Sequence, residues 1–174
     1  DPQFLELEAM AQGKPERQVG ETVEPAEEPD WRAVIEKSEK LLSRGRHLRL
    51  LWHWTLARTA LDGWSGMRDA AAIWRSWLEN WWDELYPRLD PEDGSDPTLR
   101  MNILASLASV ELWQKLNRAP LCSSRRLGCR SLRDIRSTDA SQPSIQAAFA
   151  EADPQAIQDV TVPPGWRAEW GWWF

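Results

Sequence analysis

Four carboxylates stand close together in this chain, Asp90, Glu92, Asp93 and Asp96, with Gly94 among them to permit a sharp turn. Hard oxygens at such spacing are the ligands that calcium or magnesium requires. The spacing is not that of an EF-hand loop, which needs acidic ligands at its first, third and fifth positions, glycine at the sixth and glutamate at the twelfth. Two Asp-Pro pairs, Asp90-Pro91 and Asp96-Pro97, favour a structural reading. Asp96 suits a helix N-cap and Pro97 the first helical position. Arg100, one turn in, is expected to pair with Asp90 or Asp93, and Asn102 closes the motif.

Other reactive side chains give less. His47 and His53 on one helix would point about 120° apart, so helical spacing does not let them share a metal or a proton. Zinc sites usually pair cysteines two to four residues apart and need two further ligands. Cys122 and Cys129 are more widely spaced and read as small apolar residues facing each other across a hairpin. Neither GxGxxG nor GxxxxGK[ST] occurs. No catalytic residue, cofactor or metal is assigned, and the chain is read as a non-enzyme. Arg118, Arg125, Arg126, Arg130, Arg133 and Arg136 form a basic run interrupted by the single acid Asp134. It reads as a solvated surface or a contact for an acidic protein segment, the chain's own residues 16–30 being one candidate. Nucleic-acid binding through this run is the alternative.

The elements that must position these residues are helical. Asp30 caps a helix carrying Val34, Ile35, Leu41 and Leu42, and a second runs from His47 to Leu61 with Leu48, Leu51, Trp52, Thr55 and Leu56 on one face. Asp62-Gly63 ends it. From Met67 to Tyr86 the residues Met67, Ala70, Ala71, Trp74, Trp77, Leu78, Trp81, Trp82 and Leu85 follow helical periodicity closely. Most of this stripe is expected to be core. Trp81 and Trp82 diverge by about 100°, so one of the two tends to the rim and could anchor a partner. Met101, Ile103, Leu104 and Leu107 give the helix after Pro97 its apolar face, and Ser109 restarts the chain with Val110, Leu112, Trp113 and Leu116. Gly128 between the two cysteine segments suggests a small hairpin over 121–131. The fold expected is all-α, a compact bundle of antiparallel helices.

Charge is unevenly placed. The chain of 174 residues has a formal net charge of −6, yet residues 1–30 hold nine acids and two bases. The remainder is nearly neutral, which argues against a nucleic-acid footprint. The division expected is an N-terminal helix and acidic linker arm over 1–29, a helical domain over 30–159, and a Trp/Pro-rich tail over 160–174. No run is long and apolar enough for a membrane span. Two cysteines make no disulfide framework in a chain of this length, which points to a reducing compartment.

Trp82-Asp83 through Tyr86-Pro87, followed by Leu89-Asp90-Pro91-Glu92-Asp93-Gly94-Ser95-Asp96-Pro97-Thr98-Leu99-Arg100-Met101-Asn102, resembles the signature of the ImpA N-terminal domain family. Members of that family begin the TssA-like proteins of the bacterial type VI secretion system. Pro25 to Trp31, Ser43 to Leu61, Pro120-Leu121 and Gly128 to Ile135 resemble flanking segments of the same family. Val160 to Phe174 departs from it. The resemblance implies a non-enzymatic, cytoplasmic assembly module that contacts sheath, tube, baseplate or membrane-complex proteins. It also implies that this chain is an N-terminal fragment, a monomer or small oligomer, of a protein whose full length forms a ring. Candidate contact residues on this reading are Trp81, Trp82, Arg125, Arg126, Arg130 and Arg133.

Overall fold

The computed structural model describes residues 2–14, 17–19, 22–24, 27–124 and 128–137. Helices dominate: α1 (Pro2–Gln12), α2 (Trp31–Leu42), α3 (Leu48–Asn80), α4 (Thr98–Ala105), α5 (Val110–Arg118) and α6 (Leu132–Ser137). Strands β1 (Arg17–Val19) and β2 (Thr22–Glu24) form one antiparallel pair, β3 (Pro120–Ser124) and β4 (Gly128–Ser131) another. The all-α bundle with a hairpin near 121–131 is therefore what the chain forms. The acidic stretch after α1, aperiodic in sequence, pairs β1 with β2 and closes on a Lys14–Glu27 bridge, with a salt bridge of 2.7 Å between the two side chains.

Local hydrogen bonds set the helix starts. The Asp30 carboxylate accepts from the backbone N–H groups of Arg32 and Ala33, and Ser109 Oγ accepts from Leu112 N–H. At α3 the cap is a histidine: His47 Nδ1 accepts from Arg49 N–H at 3.2 Å. His47 thus stands before the helix rather than inside it.

The long α3 is two helices joined at a sharp bend. Gly63 has φ 59° and ψ −130°, outside the helical region. Trp74 Nε1 donates to Thr55 Oγ1 at 2.9 Å. On a straight helix those residues would be ~28 Å apart, so the second half must fold back antiparallel to the first. Both halves reading as separate helices around Asp62-Gly63 is what the structure shows. A Cβ at Gly63 would also lie 2.9 Å from Ala119 Cβ. We expect Gly63→Ala to destabilise the protein by about 1–3 kcal/mol from backbone strain, plus the cost of that collision. A urea titration of the variant checks this; an unchanged midpoint would mean that the bend is not set here.

The core runs through the whole bundle and includes Leu7 and Ala11 of α1, Trp31 and Val34 of α2, Leu51, Trp54, Trp74 and Trp77 of α3, Ile103 of α4, and Leu112 and Leu116 of α5. The tryptophan stripe is core at Trp74 and Trp77 and half-buried at Trp81 and Trp82. Several assigned apolar positions face outward instead: Ala71, Met101, Val110 and Trp113 are exposed. The α1 helix is also tied down by charge, Glu6 to Lys37 and Glu8 to Arg49.

Candidate functional site

After Asn80 the chain leaves α3 through a 3-10 turn (Trp82–Glu84), passes a cis Tyr86-Pro87 bond and a second 3-10 turn (Pro91–Asp93), and enters α4. This is the segment of the acidic motif. Asp90 Oδ1 accepts from Glu92 N–H at 2.9 Å, and the Asp90 carbonyl accepts from Ser95 N–H at 2.8 Å. Gly94 (φ 63°) and Ser95 (φ 57°) turn the chain in the left-handed region. Asp96 accepts from both the N–H and the hydroxyl of Thr98, and these bonds, the hydroxyl first, hold its carboxyl below the usual range. The N-cap of α4 is therefore Pro97 rather than Asp96: the helix starts one residue later than expected, at Thr98, and Asp96 stands just before the cap, bonded to that first residue. Asp93 and Asn102 are exposed.

Arg100 makes a different set of contacts from the ion pair with Asp90 or Asp93 expected of it. Its side chain is 1% exposed. Nε donates to the Pro87 carbonyl at 2.8 Å, Nη1 to Trp82 at 2.6 Å and Nη2 to Leu85 at 2.7 Å. The guanidinium also lies 4.7 Å from the Trp82 ring centroid. One rigid fork thus gathers three carbonyls of an irregular segment that has no ladder of its own. The same segment is pinned from the other side, Tyr86 N–H donating to the Arg46 carbonyl and Leu48 N–H to the Tyr86 carbonyl. Arg46 stacks 3.6 Å over Trp81, so both half-buried indoles carry a cation on a face.

A sequence signal for Arg100 exists in hindsight. Arg100, Ile103, Leu104 and Leu107 stand at helical spacing, so the arginine heads the buried stripe of α4, and Met101 lies off it at 54% exposure.

The histidines lie under α1. His47 contacts the Phe4 ring (5.3 Å) and stacks on Tyr86 (6.2 Å), while His53 Nε2 is 4.0 Å from a Glu8 oxygen. Burial first, and the Arg49 guanidinium next, lower the pKa of His47, with Glu8 opposing. For His53 burial again lowers it, Glu8 opposes and Arg49 adds to the fall. The unfolded chain, with its histidines near 6.5, then binds protons more readily than the folded one. Stability should be full above that pH and decline as pH falls from it toward the folded values. Thermal melts across the neutral to mildly acid range check this, and a melting point that rises on mild acidification would contradict it.

In the β3–β4 hairpin Cys122 pairs with Arg130 and Cys129 with Ser123. The two cysteines therefore do not face each other, and Cys129 is exposed. The one-residue register offset separates them. Of the basic run, Arg118, Arg130 and Arg133 come together around one pocket. Arg125 and Arg126 lie outside the described residues, as does the 160–174 tail. Among the described residues no group of His, Cys, Asp or Glu is arranged to hold a metal ion, and no helix is long and apolar enough to cross a membrane.

Residues 1–109, which contain the whole Arg100 clamp and the capped turn, match the model of the ImpA N-terminal region of the type VI secretion system. The chain belongs to this ImpA N-terminal family. It is similar to the type VI secretion system component TssA1 of Pseudomonas aeruginosa, with 39% identity over 166 residues, 90% of this chain and 48% of that protein. The chain thus spans about half the length of the curated relative it matches. Its fold is also that of a solved N-terminal domain of TssA from Burkholderia cenocepacia, which contains the conserved ImpA N-terminal region. That comparison gives a TM-score of 0.57 and 23% identity, over 92% of this chain and 58% of the other.

Proposed function

We propose that this ImpA N-terminal domain is a non-enzymatic assembly module of type VI secretion, acting in the bacterial cytoplasm. It binds protein components of the contractile apparatus: sheath, tube, baseplate or membrane complex. The observation that carries the reading is the family match over residues 1–109 together with 39% identity to a type VI secretion component. The site geometry agrees in kind. The acidic motif is used up in capping and turning the chain, and Arg100 is used up in holding backbone, so the conspicuous charged residues serve a rigid scaffold. In this reading the chain is a monomer or small oligomer and the full-length protein a ring.

The test is retention of purified sheath, tube, baseplate and membrane-complex proteins on the immobilised chain. At least one is expected to be held; a set of pull-downs in which all are lost overturns the proposal.

A further inference from the structure

Beyond the matched residues 1–109, the end of α5, strand β4 and the start of α6 enclose an open pocket of about 570 Å³. Arg118, Arg130 and Arg133 line it with Pro120, Ser131 and Asp134. Among the described residues none of the three guanidinium groups has a hydrogen-bonded or ion-paired partner, and Arg130 Nε is buried without an acceptor. The one acid is already engaged. Asp134 Oδ2 accepts from Ser131 N–H at 2.9 Å and from Ser131 Oγ at 2.8 Å. Asp134 feels the charge of both Arg130 and Arg133, but one carboxylate among three guanidinium groups leaves the concave surface net positive, and a donor left buried without an acceptor carries a desolvation cost. An anion seated between them relieves both.

From this geometry we infer that the Arg118–Arg130–Arg133 pocket is a recognition site for a short acidic peptide segment of a protein partner. The inference rests on the reading of the chain as a protein-binding module. Guanidinium forks match carboxylates in two-point geometry, so neighbouring Asp or Glu side chains could be held by different arginines. The surroundings favour a short peptide over a nucleic acid. Arg118 and Pro120 also border a second groove, whose walls carry Glu28, Asp62 and Glu111. Lys115 lies in that groove too, with its ammonium 4.2 Å from the Trp31 ring centroid. A phosphate backbone needs a continuous basic track, and here the track turns acidic one step beyond Arg118. A peptide with a central run of carboxylates and neutral or basic flanks fits both grooves.

The probe is a fluorescein-labelled synthetic peptide with a central Glu-Asp run flanked by Ser and Lys, followed by anisotropy on the full chain at low and physiological salt. Binding that weakens with salt is expected. The double variant Arg118→Glu/Arg133→Glu should lose about tenfold or more in affinity, because it replaces two attractions for the peptide's carboxylates with two like-charge repulsions. The milder Arg118→Gln/Arg133→Gln should lose less. Both arginines are exposed, so melting points should match wild type, and the Gln pair remains informative if charge reversal disturbs folding. Arg75→Glu, on the surface of α3 beside Glu79, should bind as wild type does. No binding at low salt overturns the site, as does affinity unchanged in both double variants. Tighter, equally arginine-dependent binding of a single-stranded DNA oligonucleotide overturns it in favour of nucleic acid. Pull-downs with the double variants separate the two ideas. Partners retained while the peptide fails leave the assembly role standing without this site. Peptide binding with every pull-down empty does the reverse.

Discussion

Arg100→Ala is expected to lower stability by about 3–5 kcal/mol, because hydrogen bonds from a charged donor contribute about 1.5–3 kcal/mol each and their buried acceptors lose solvation without them. The sum is smaller than three full bonds because residues 82–87 can relax once released. The carbonyls of Trp82, Leu85 and Pro87 all point at the guanidinium and the path is irregular, with Tyr86 held separately by its backbone bonds to Arg46 and Leu48. Arg100→Lys should recover part of the loss, since an ammonium keeps the charge but cannot span three carbonyls with one planar fork. Arg100→Met, which keeps the apolar stem, should resemble Ala more than Lys. Urea denaturation at neutral pH ranks the variants. A loss below about 1 kcal/mol for Arg100→Ala would mean that water replaces the guanidinium at little cost and that the clamp is not what holds the turn. An order with Met above Lys would assign the arginine's contribution to packing.

Trp77→Ala is expected to cost about 3–5 kcal/mol, the range for removing a large aromatic side chain from a packed core. Its side chain is fully buried, on the same face of the second half of α3 as Trp74. The cavity would open on the face that the second half of α3 turns toward the first, which cannot close in without moving the Trp74–Thr55 contact. Trp77→Phe should cost much less, because most of the volume remains. Equilibrium unfolding of both variants measures the difference. If Trp77→Ala lost under about 1 kcal/mol, the stripe would not be the core that its burial indicates.

These two residues differ in how far they could be read in advance. Trp77 was legible because periodicity reports burial: a helix with apolar side chains every three or four residues buries that face wherever it packs. Trp54 was not. The apolar face over Leu48, Leu51, Trp52, Thr55 and Leu56 leaves it out, yet it is 1% exposed and Trp52 is only half-buried. The first half of α3 lies between two neighbours: Trp54 Nε1 donates to Glu39 of α2 while Thr55 receives Trp74 from the second half. A helix buried on two sides has no single stripe to find. Arg100 was recognised as part of the motif, but its partners were not, because a backbone carbonyl is present at every residue and leaves no mark in the sequence.

Sequence alone sufficed for the helical class, the capped entries at Asp30 and Ser109, the break at Asp62-Gly63 and, through the 82–102 motif, the family. These are local matters, in which a side chain acts on backbone within a turn of itself or repeats with the helical period. Tertiary structure alone decided that Arg100 serves three carbonyls and that Cys122 meets Arg130 rather than Cys129. It alone brought three arginines of a longer basic run to one pocket. Each of these depends on how separate segments meet in space, and a one-residue slip in register or a turn that opened differently would change the partners without changing a single local preference.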